Sequence, residues 1–297
     1  MNEEDHMPLI PRLARLPLIS ASRNNARIAT SMLALTVVNL VSRAPLTSSE
    51  GPVVSLTSYS KRVDQVHLAI ESIGRGTQKP SRLILWLDEP ERLADPPRAL
   101  RRLVRRGLEI RETPNYGPHK KYYPYVAGIE HHSVPMVTSD DDTMYPRQWL
   151  ETLIRAHRKD PDLVVAHRVN KIEVRDRTIA PYASWKRATS PTLSPRNFAV
   201  GVRGILYPPA FLDVLRSQGT GFEAVAPRAD DVWLHMNLIR SGGRVRPVFD
   251  LAAEDFLPVR GGGKVAGLWA SNIEAGGNDE QIKNTYGTAE VTVIIEG

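Results

Sequence analysis

The chain contains no cysteine among its 297 residues. Disulfide bonds, cysteine-liganded zinc sites and thiol catalysis are therefore excluded. The sequence also has no P-loop, no G-x-G-x-x-G fingerprint, no G-x-S-x-G elbow and no H-E-x-x-H zinc motif. These absences argue against kinase, dinucleotide-dependent oxidoreductase and hydrolase functions.

Long apolar runs are absent as well. The apolar run at residues 32–41 is about ten residues long, whereas a membrane-spanning helix needs ~20. Arginines precede this run at Arg12, Arg15, Arg23 and Arg27. An interfacial anchor and a plain helix packed on the domain are both compatible with this pattern. We expect a cytoplasmic protein, with peripheral contact to the inner face of the membrane through the basic N-terminal segment as an alternative.

Acidic residues are fewer than basic ones, 33 against 39, which gives a formal net charge of +6. Part of this excess is spaced like one face of a helix, at Arg98, Arg101, Arg102, Arg105 and Arg106. Such a cluster is typical of a solvated helix face, and a patch facing anionic lipid is the alternative. No nucleic-acid-binding module accompanies it, so we expect no nucleic-acid partner.

Changes in composition divide the chain into three parts. Residues 1–50 are predicted to form a partly flexible leader, loose over 1–25, with a helix over 27–42 and a short linker. Residues 51–260 are predicted to form the catalytic domain. Residues 261–297 contain two groups of glycines, which predict a loop-like tail that contributes to the site. The oligomeric state is not indicated.

Strand-like and helix-like hydrophobic spacing alternate from residue 53 onwards. Helices with an apolar face are predicted after Asp64 as an N-cap and again from Gly117-Pro118. Strands are predicted at 53–57, 83–87, 108–111, 135–138 and 163–167, followed by an edge strand at 169–175, a strand at 198–207 broken by Gly201 and Gly204, and a helix near 231–240. The alternation predicts an α/β fold with a mainly parallel central sheet.

Three consecutive aspartates, Asp140, Asp141 and Asp142, come directly after the strand predicted at 135–138. In open α/β sheets, ligands bind beyond the carboxyl ends of the strands. Carboxylates crowded there repel one another unless a cation neutralises them. Mg²⁺ or Mn²⁺ suits such oxygens, with substrate phosphates completing the coordination. The alternative is an acidic turn in which Asp142 caps the next helix.

Further segments lie in a fixed order around this triplet. They are 57–62 (TSYSKR), 115–121 (NYGPHKK) and the TSDDD of 138–142, which is followed by Tyr145-Pro146 and Trp149-Leu150. Together they resemble a family of bacterial glycosyltransferases with the GT-A fold. The resemblance covers roughly residues 52–240, with an Asn278-Asp279 element near the end.

The resemblance implies a Rossmann-like GT-A sandwich with a mainly parallel central sheet and a smaller acceptor-side region. It implies a nucleotide-sugar donor, a glycan, glycolipid or polysaccharide-precursor acceptor, and Mn²⁺ or Mg²⁺ held by Asp140 and Asp142. The residues implied to bind the donor are Thr57, Ser58, Tyr59, Arg62, Asp88, Lys120, Lys121, Asp140, Asp141 and Gly204. Simpler roles stay open for Asp88, as a turn cap, and for Tyr59, as a core residue.

Lys120 and Lys121 fall in the first turn of the helix predicted from Gly117-Pro118. Helix N-termini favour anions, so one of these lysines would meet the donor diphosphate or stabilise the leaving group. A solvated pair of lysines is the alternative.

Asp230 and Asp231 stand at the start of the late predicted helix. In inverting enzymes of the GT-A fold a carboxylate at this place acts as base on the acceptor hydroxyl. The resemblance therefore implies that Asp230 or Asp231 is the base and that the other is the N-cap. Capping without catalysis is the alternative. The family's motif is more often Glu-Asp than Asp-Asp, which leaves the identity of the base and the stereochemical outcome open.

These observations predict a metal-dependent glycosyltransferase that acts by inverting displacement. A metal-dependent nucleotidyltransferase or phosphotransferase is an alternative, because metals at an acidic strand end also suit attack on phosphorus. A non-catalytic sugar-binding module is the alternative outside catalysis.

We expect Asp142→Ala to abolish metal-dependent binding of a nucleotide sugar without unfolding the domain, because the substitution removes a carboxylate ligand of the cation. Titration calorimetry with Mn²⁺ measures binding, and circular dichroism measures folding. Unchanged binding by the variant would show that Asp142 is not a ligand of the cation.

Overall fold

Strands and helices alternate through the first half of the chain in a computed structural model that describes residues 16–260 and 277–297. The helices are α1 (Leu16–Val41), α2 (Val66–Gly74), α3 (Pro90–Ala94), α4 (Arg98–Val104), α5 (Tyr123–Ala127), α6 (Trp149–Lys159), α7 (Pro209–Gln218), α8 (Phe222–Val225), α9 (Asp230–Arg240), α10 (Gly277–Thr285) and α11 (Thr288–Glu296). The strands are β1 (Val53–Thr57), β2 (Arg82–Leu87), β3 (Leu108–Glu112), β4 (Met136–Thr138), β5 (Thr143–Met144), β6 (Val164–Ala166), β7 (Val169–Lys171), β8 (Val174–Arg175), β9 (Thr178–Ile179), β10 (Lys186–Arg187), β11 (Asn197–Ala199), β12 (Ile205–Tyr207), β13 (Val245–Pro247) and β14 (Leu257–Pro258).

The central sheet has seven strands in the order β13-β6-β12-β4-β1-β2-β3. Among the described strands of this sheet, β12 runs antiparallel to both of its neighbours, and the remaining pairs are parallel. The predicted α/β class with a mainly parallel central sheet is confirmed. The early strands β1, β2, β3, β4 and β6 are those predicted from hydrophobic runs, as expected for strands covered on both faces.

Helices cover both faces of this sheet. Successive side chains of a strand point to opposite faces. Leu56 of β1 accordingly belongs to the core cluster that α2, α4 and α6 share. Val53 belongs to the cluster that α5, α7 and α9 share. The result is a sandwich of helices, sheet and helices.

The second half of the chain adds small antiparallel sheets beside the central one. They are β10-β7-β11, β14-β5 and β8-β9. The single broken strand predicted at 198–207 is wrong, because β11 and β12 belong to different sheets. Arg203 and Gly204 have φ angles of 80° and 91°, which turn the chain sharply between the two strands.

Two predicted helix starts also differ from the structure. Asp64 ends a 3-10 turn (Ser60–Asp64), and Gln65 takes the N-cap position of α2. The Asp64 carboxylate instead pairs with Arg92 at 2.8 Å. The helix predicted from Gly117 starts as a 3-10 turn (Gly117–Lys121) and becomes α-helical only in α5.

Helix α1 begins at Leu16, so the loose leader predicted to reach residue 25 is wrong from that point onwards. The inner face of α1 buries Ile28 and Leu35 against Leu68 of α2 and against Met144 and Leu257. Residues 1–15, which include Arg12 and Arg15, lie outside the described residues.

Helix α1 is joined to the sandwich by a buried polar network. Asn39 donates hydrogen bonds to Glu71 at 3.0 Å and to the Ala99 carbonyl at 3.2 Å. Glu71 is fully buried and pairs with Arg106 at 2.5 Å. Arg106 therefore points inward, and the predicted arginine cluster is not one solvated face. Of the helices in residues 16–260 and 277–297, none has both the length and the apolar character needed to cross a membrane.

The C-terminal loop prediction is wrong over residues 277–297, which form α10 and α11. Acidic residues in the first turn of α10 favour helix initiation. Ile282, Tyr286 and Ile294 anchor both helices in the core. The Tyr286 hydroxyl lies 2.7 Å from Nδ1 of His235 on α9. The glycines at 261–263 lie outside the described residues, and the tail's contribution to the site stays a prediction.

We expect Leu35→Ala to lower the free energy of unfolding by about 2–5 kcal/mol, because it opens a cavity beneath α1. Leu35 has no exposed surface, whereas Leu33 of the same helix is 66% exposed. Leu33→Ala is the matched control and should change stability by less than about 0.5 kcal/mol. Urea denaturation measures both. Equal losses would show that α1 does not pack on its inner face.

Candidate active site

A cavity of about 790 Å³ opens beyond the carboxyl ends of β1, β2 and β4. This is the position at which open α/β sheets bind ligands. The predicted site residues that line it are Thr57, Tyr59, Arg62, Asp88, Lys120, Lys121, Asp140, Asp141, Asp142 and Asp231. Residues that were predicted from distant segments of sequence therefore meet in one place.

Three predicted site residues do not line this cavity. Ser58 is buried beneath it and donates its hydroxyl to Asp141 at 2.6 Å. Asp230 lies behind Asp231 and contacts Lys121. A side chain at Gly204 would meet the indole of Trp149 at 2.6 Å, so this glycine accommodates a tryptophan. The predicted donor-binding role of Gly204 stays a prediction.

The three aspartates after β4 have different surroundings. Asp141 is buried, accepts the Ser58 hydrogen bond and pairs with Arg62 at 2.9 Å. Burial raises the pKa of Asp141 to about 6. Asp142 is about half exposed and also contacts Arg62. The N-cap of the next helix, α6, is Gln148, so Asp142 is not a cap.

Arg62 connects the loop after β1 to the acidic triplet. Its guanidinium contacts Asp141 and Asp142 and lies 5.4 Å from the ring centre of Tyr59. Tyr59 is half-buried at the cavity and is not a core residue. The Thr57 hydroxyl donates to the Trp86 carbonyl at 2.9 Å, which ties the end of β1 to β2.

Lys120 and Lys121 are not a solvated pair. Lys120 forms an ion pair with Asp88 at 2.5 Å, and Lys121 forms one with Asp140 at 3.1 Å. Both lie in the 3-10 turn that precedes α5 rather than in the first turn of an α-helix. The predicted helix N-terminus is therefore wrong, and the fixed charge at this place comes from the two side chains themselves.

Lys121 stands between two acidic groups that are far apart in the sequence. It lies 3.1 Å from Asp140 and 3.5 Å from Asp230. Burial by itself would lower the pKa of Lys121, but Asp140, Asp230 and Asp231 outweigh it and raise the pKa well above its ordinary value. Lys121 is thus a permanent cation that joins the end of β4 to the start of α9.

Asp231 presents its carboxylate to the cavity from the first turn of α9. Both carboxylate oxygens accept hydrogen bonds from the Gly201 amide, at 3.0 and 3.1 Å. Burial, and next the Asp230 carboxylate, raise the pKa of Asp231. The N-cap position belongs to Ala229, so the prediction that Asp230 or Asp231 caps this helix is wrong.

One part of the cavity wall was missed by sequence reasoning, namely Pro258 and Val259 at the end of β14. The Val259 amide donates to the Asp142 carbonyl at 2.7 Å. Gly201 and Val202, which also line the cavity, belong to the glycine-bearing segment 201–204 that the resemblance implies for the approach of donor sugar and acceptor. Nothing local marks 258–259, because the pairing of β14 with β5 brings them to the site.

The residues present fit a divalent cation that is shared with a ligand. Within the described residues, no three histidine or acidic side chains are arranged to enclose a metal ion by themselves. Asp140 and Asp142 both line the cavity and offer hard oxygen ligands. Mg²⁺ is commonly held by one or two carboxylates together with substrate phosphates, so such a partial set is sufficient.

Comparison with family models and with curated proteins finds no sequence match. Among solved structures, a mannosyltransferase from Pyrobaculum calidifontis, PcManGT, determined in complex with GDP-Man and Mn²⁺, is similar to this chain. The two are 14% identical with a TM-score of 0.50, over 94% of this chain and 78% of the mannosyltransferase. At this identity the likeness shows the fold alone, and the expected GT-A-type fold is confirmed.

Two further solved structures have lower scores. One is TarS 1–349 from S. aureus, which is 13% identical with a TM-score of 0.46, over 68% of this chain and 59% of TarS. The other is a CMP:2-keto-3-deoxy-manno-octonic acid synthetase complexed with CTP, which is 17% identical with a TM-score of 0.43, over 69% of this chain and 91% of the synthetase. Both TM-scores lie below 0.5, so neither adds to what the mannosyltransferase shows.

We expect Lys121→Ala to destabilise the protein more at pH 8 than at pH 5. Burial raises the pKa of Asp140 and of Asp231 in the folded protein. In the unfolded chain aspartates release their protons near pH ~4, so raising the pH above this value favours unfolding. Removing the lysine increases this effect, because the carboxylates then repel one another without a cation between them.

The expected loss of unfolding free energy at pH 8 is about 3–5 kcal/mol, as for a broken buried ion pair. Urea denaturation at the two pH values measures it. Lys159→Ala, at an exposed position on α6, is the control and should show no loss. Equal losses for Lys121→Ala at pH 5 and pH 8 would mean that the lysine acts by packing and not by charge.

Proposed function

We propose that this chain is a glycosyltransferase that uses Mn²⁺ or Mg²⁺ to transfer a sugar from a nucleotide-sugar donor to a hydroxyl acceptor. The observation that carries this proposal is the meeting of two acidic groups in one cavity, Asp140 with Asp142 on one side and Asp231 on the other. The first group would hold the cation that binds the donor diphosphate. The second would take the proton of the attacking hydroxyl. The GT-A fold, and the GDP-Man and Mn²⁺ bound by PcManGT, support the assignment.

The donor would lie along the edge formed by β1, β2 and β4. Thr57, Tyr59 and Asp88 line the part of the cavity that suits the base and ribose. Asp140 and Asp142 would hold the cation, which neutralises the diphosphate and stabilises it as a leaving group. Arg62 contacts Asp142 and would have to release it when the cation binds. Its charge would then be free to meet the donor phosphates.

Asp231 is the proposed base, in preference to Asp230. A base must lie within hydrogen-bond reach of the proton that it removes. Asp231 lines the cavity, whereas Asp230 contacts Lys121 behind it. The Gly201 amide orients the Asp231 carboxylate. Burial and the Asp230 carboxylate outweigh the charge of Lys121 and raise the pKa of Asp231 to about 8, near the working pH that suits a general base. A carboxylate at the cavity that is separate from the proposed metal ligands supports inverting displacement, which needs a base for the acceptor hydroxyl.

Lys121 is proposed as a positioning residue for both halves of the reaction. It contacts Asp140 on the donor side and Asp230, next to the proposed base, on the other side. Its positive charge also faces the place of the departing diphosphate, where fixed charge stabilises the transition state. Because Lys121 is already held in the cavity wall, its charge is in place before the reaction begins.

The acceptor is proposed as a glycan, a glycolipid or a polysaccharide precursor. The turn after β11 carries Gly201 and Val202 into the cavity beside Asp231. This turn, which follows the small sheet β10-β7-β11, therefore forms the part of the wall from which an acceptor would approach. A cytoplasmic location for this reaction stays a prediction.

We expect the purified chain, incubated with Mn²⁺ and a panel of nucleotide sugars, to hydrolyse one donor slowly and to transfer its sugar once an acceptor is supplied. Chromatography of the released nucleoside diphosphate and nuclear magnetic resonance of the sugar measure both reactions. Pyrophosphate release from a nucleoside triphosphate would instead identify a nucleotidyltransferase. Inactivity towards every donor, with sugar binding retained, would identify a binding module.

Asp231→Asn should lower the rate of transfer by about 10²–10⁴-fold, the usual contribution of a general base, and leave donor affinity unchanged. Asp230→Asn is the matched control on the adjacent residue and should retain most of the transfer activity. Single-turnover kinetics and donor titration separate the two effects. The reverse result would assign the base to Asp230.

A further inference from the structure

Helix α1 is apolar on the side that faces away from the core as well as on the side that packs. Its solvent side carries Leu33, Val37, Leu40 and Val41, which we call the α1 outer face. These side chains are 66%, 47%, 59% and 71% exposed. Their spacing of i, i+4, i+7 and i+8 places them in one stripe along the helix. A surface helix normally presents polar residues there, and contiguous exposed apolar side chains mark an interaction surface.

Arginines border this stripe. Helix α4 lies beside the C-terminal half of α1, because Arg102 donates to the Asn39 side chain at 2.8 Å. Arg98 and Arg101 lie on the exposed side of α4, where Arg101 also pairs with Asp95 at 2.5 Å. The exposed Arg105 follows α4, and the exposed Arg43 follows α1. The surface therefore combines an apolar stripe with a basic border.

We propose that the α1 outer face and the arginines of α4 dock the protein onto an anionic lipid membrane, with α1 lying in the plane of the headgroups. Interfacial helices bury an apolar face at the boundary of headgroups and acyl chains, and basic side chains beside it attract anionic lipids. This surface is separate from the cavity, and the inference does not depend on the proposed function.

The sequence allowed membrane contact by the basic residues before the apolar run or by the arginine cluster at 98–106, and of these the structure places the arginines of α4 beside this surface. Arg27 of α1 donates a hydrogen bond to the Glu254 carbonyl at 3.0 Å and pairs with Asp255. Its side chain is therefore held against the segment 254–255 of the same chain. The arginines of α4, which are distant in the sequence, take its place beside the stripe. Docking then needs only the folded domain.

The basic border favours lipid over a second copy of this chain. In a two-fold dimer the same patch would meet itself. The arginines of both copies would then be gathered on one interface, and like charges brought together oppose association. An anionic bilayer provides an apolar layer for the stripe and negative charge for its border at the same time.

The absence of cysteine allows a direct test. A single Val37→Cys variant of the full chain, labelled with an environment-sensitive fluorophore, should show a blue shift with vesicles that contain phosphatidylglycerol. It should show none with phosphatidylcholine alone. Leu193→Cys, at a position that is 40% exposed and remote in sequence, is the control and should not respond. No shift at Val37→Cys, or an equal shift at both positions, would overturn the proposal.

Sedimentation with the same vesicles measures affinity. The triple variant Leu33→Ser, Val37→Ser, Leu40→Ser should bind at least about tenfold more weakly, because it removes the apolar contact. The variant Arg98→Gln, Arg101→Gln, Arg105→Gln should bind more weakly and lose its dependence on salt. Thermal melting confirms that both are folded. Vesicle binding that is unchanged in both variants would contradict the proposal. Light scattering that finds a dimer, dissociated only in the serine variant, would also contradict it.

Discussion

A buried lysine between carboxylates is the interaction on which the candidate site depends. Asp140 follows a strand of the central sheet, whereas Asp230 and Asp231 begin a helix on one face of it. Carboxylates brought this close repel one another and resist burial. Lys121, 3.1 Å from Asp140 and 3.5 Å from Asp230, compensates both groups with one charge. The two sides of the cavity are thereby held at a fixed separation.

The same principle extends across the cavity. Arg62 pairs with Asp141 and Asp142, and Lys120 pairs with Asp88. With Lys121, three side-chain cations therefore offset part of the charge of six carboxylates before any ligand binds. The acidic charge that remains suits a divalent cation. Arg62, shared between a buried and an exposed carboxylate, is the group best placed to change partner.

Helix α1 links this site to the surface of the molecule. Its inner face packs on Met144 and Leu257, which belong to the paired strands β5 and β14. The same pairing carries Pro258 and Val259 into the cavity wall beside Asp142. A helix that was expected to lie outside the catalytic domain therefore supports one wall of the cavity, while its opposite side forms the proposed docking surface.

Local pattern was enough to find the parallel strands of the central sheet, the acidic triplet and the aspartates of α9. Strands that are buried on both faces need continuous apolar runs, which can be recognised in the sequence. Consecutive aspartates directly after such a run can be recognised in the same way. It was not enough to separate β11 from β12, to find α10 and α11, or to tell which of Asp230 and Asp231 lines the cavity. Those outcomes depend on partners distant in the chain: which sheet a short strand joins, which helix anchors Tyr286, and which carboxylate Lys121 meets. The order of residues along the chain specifies the chemical groups and the succession of sheet-forming segments. Tertiary packing sets which charges meet, because ion pairing acts through space without regard to separation along the chain.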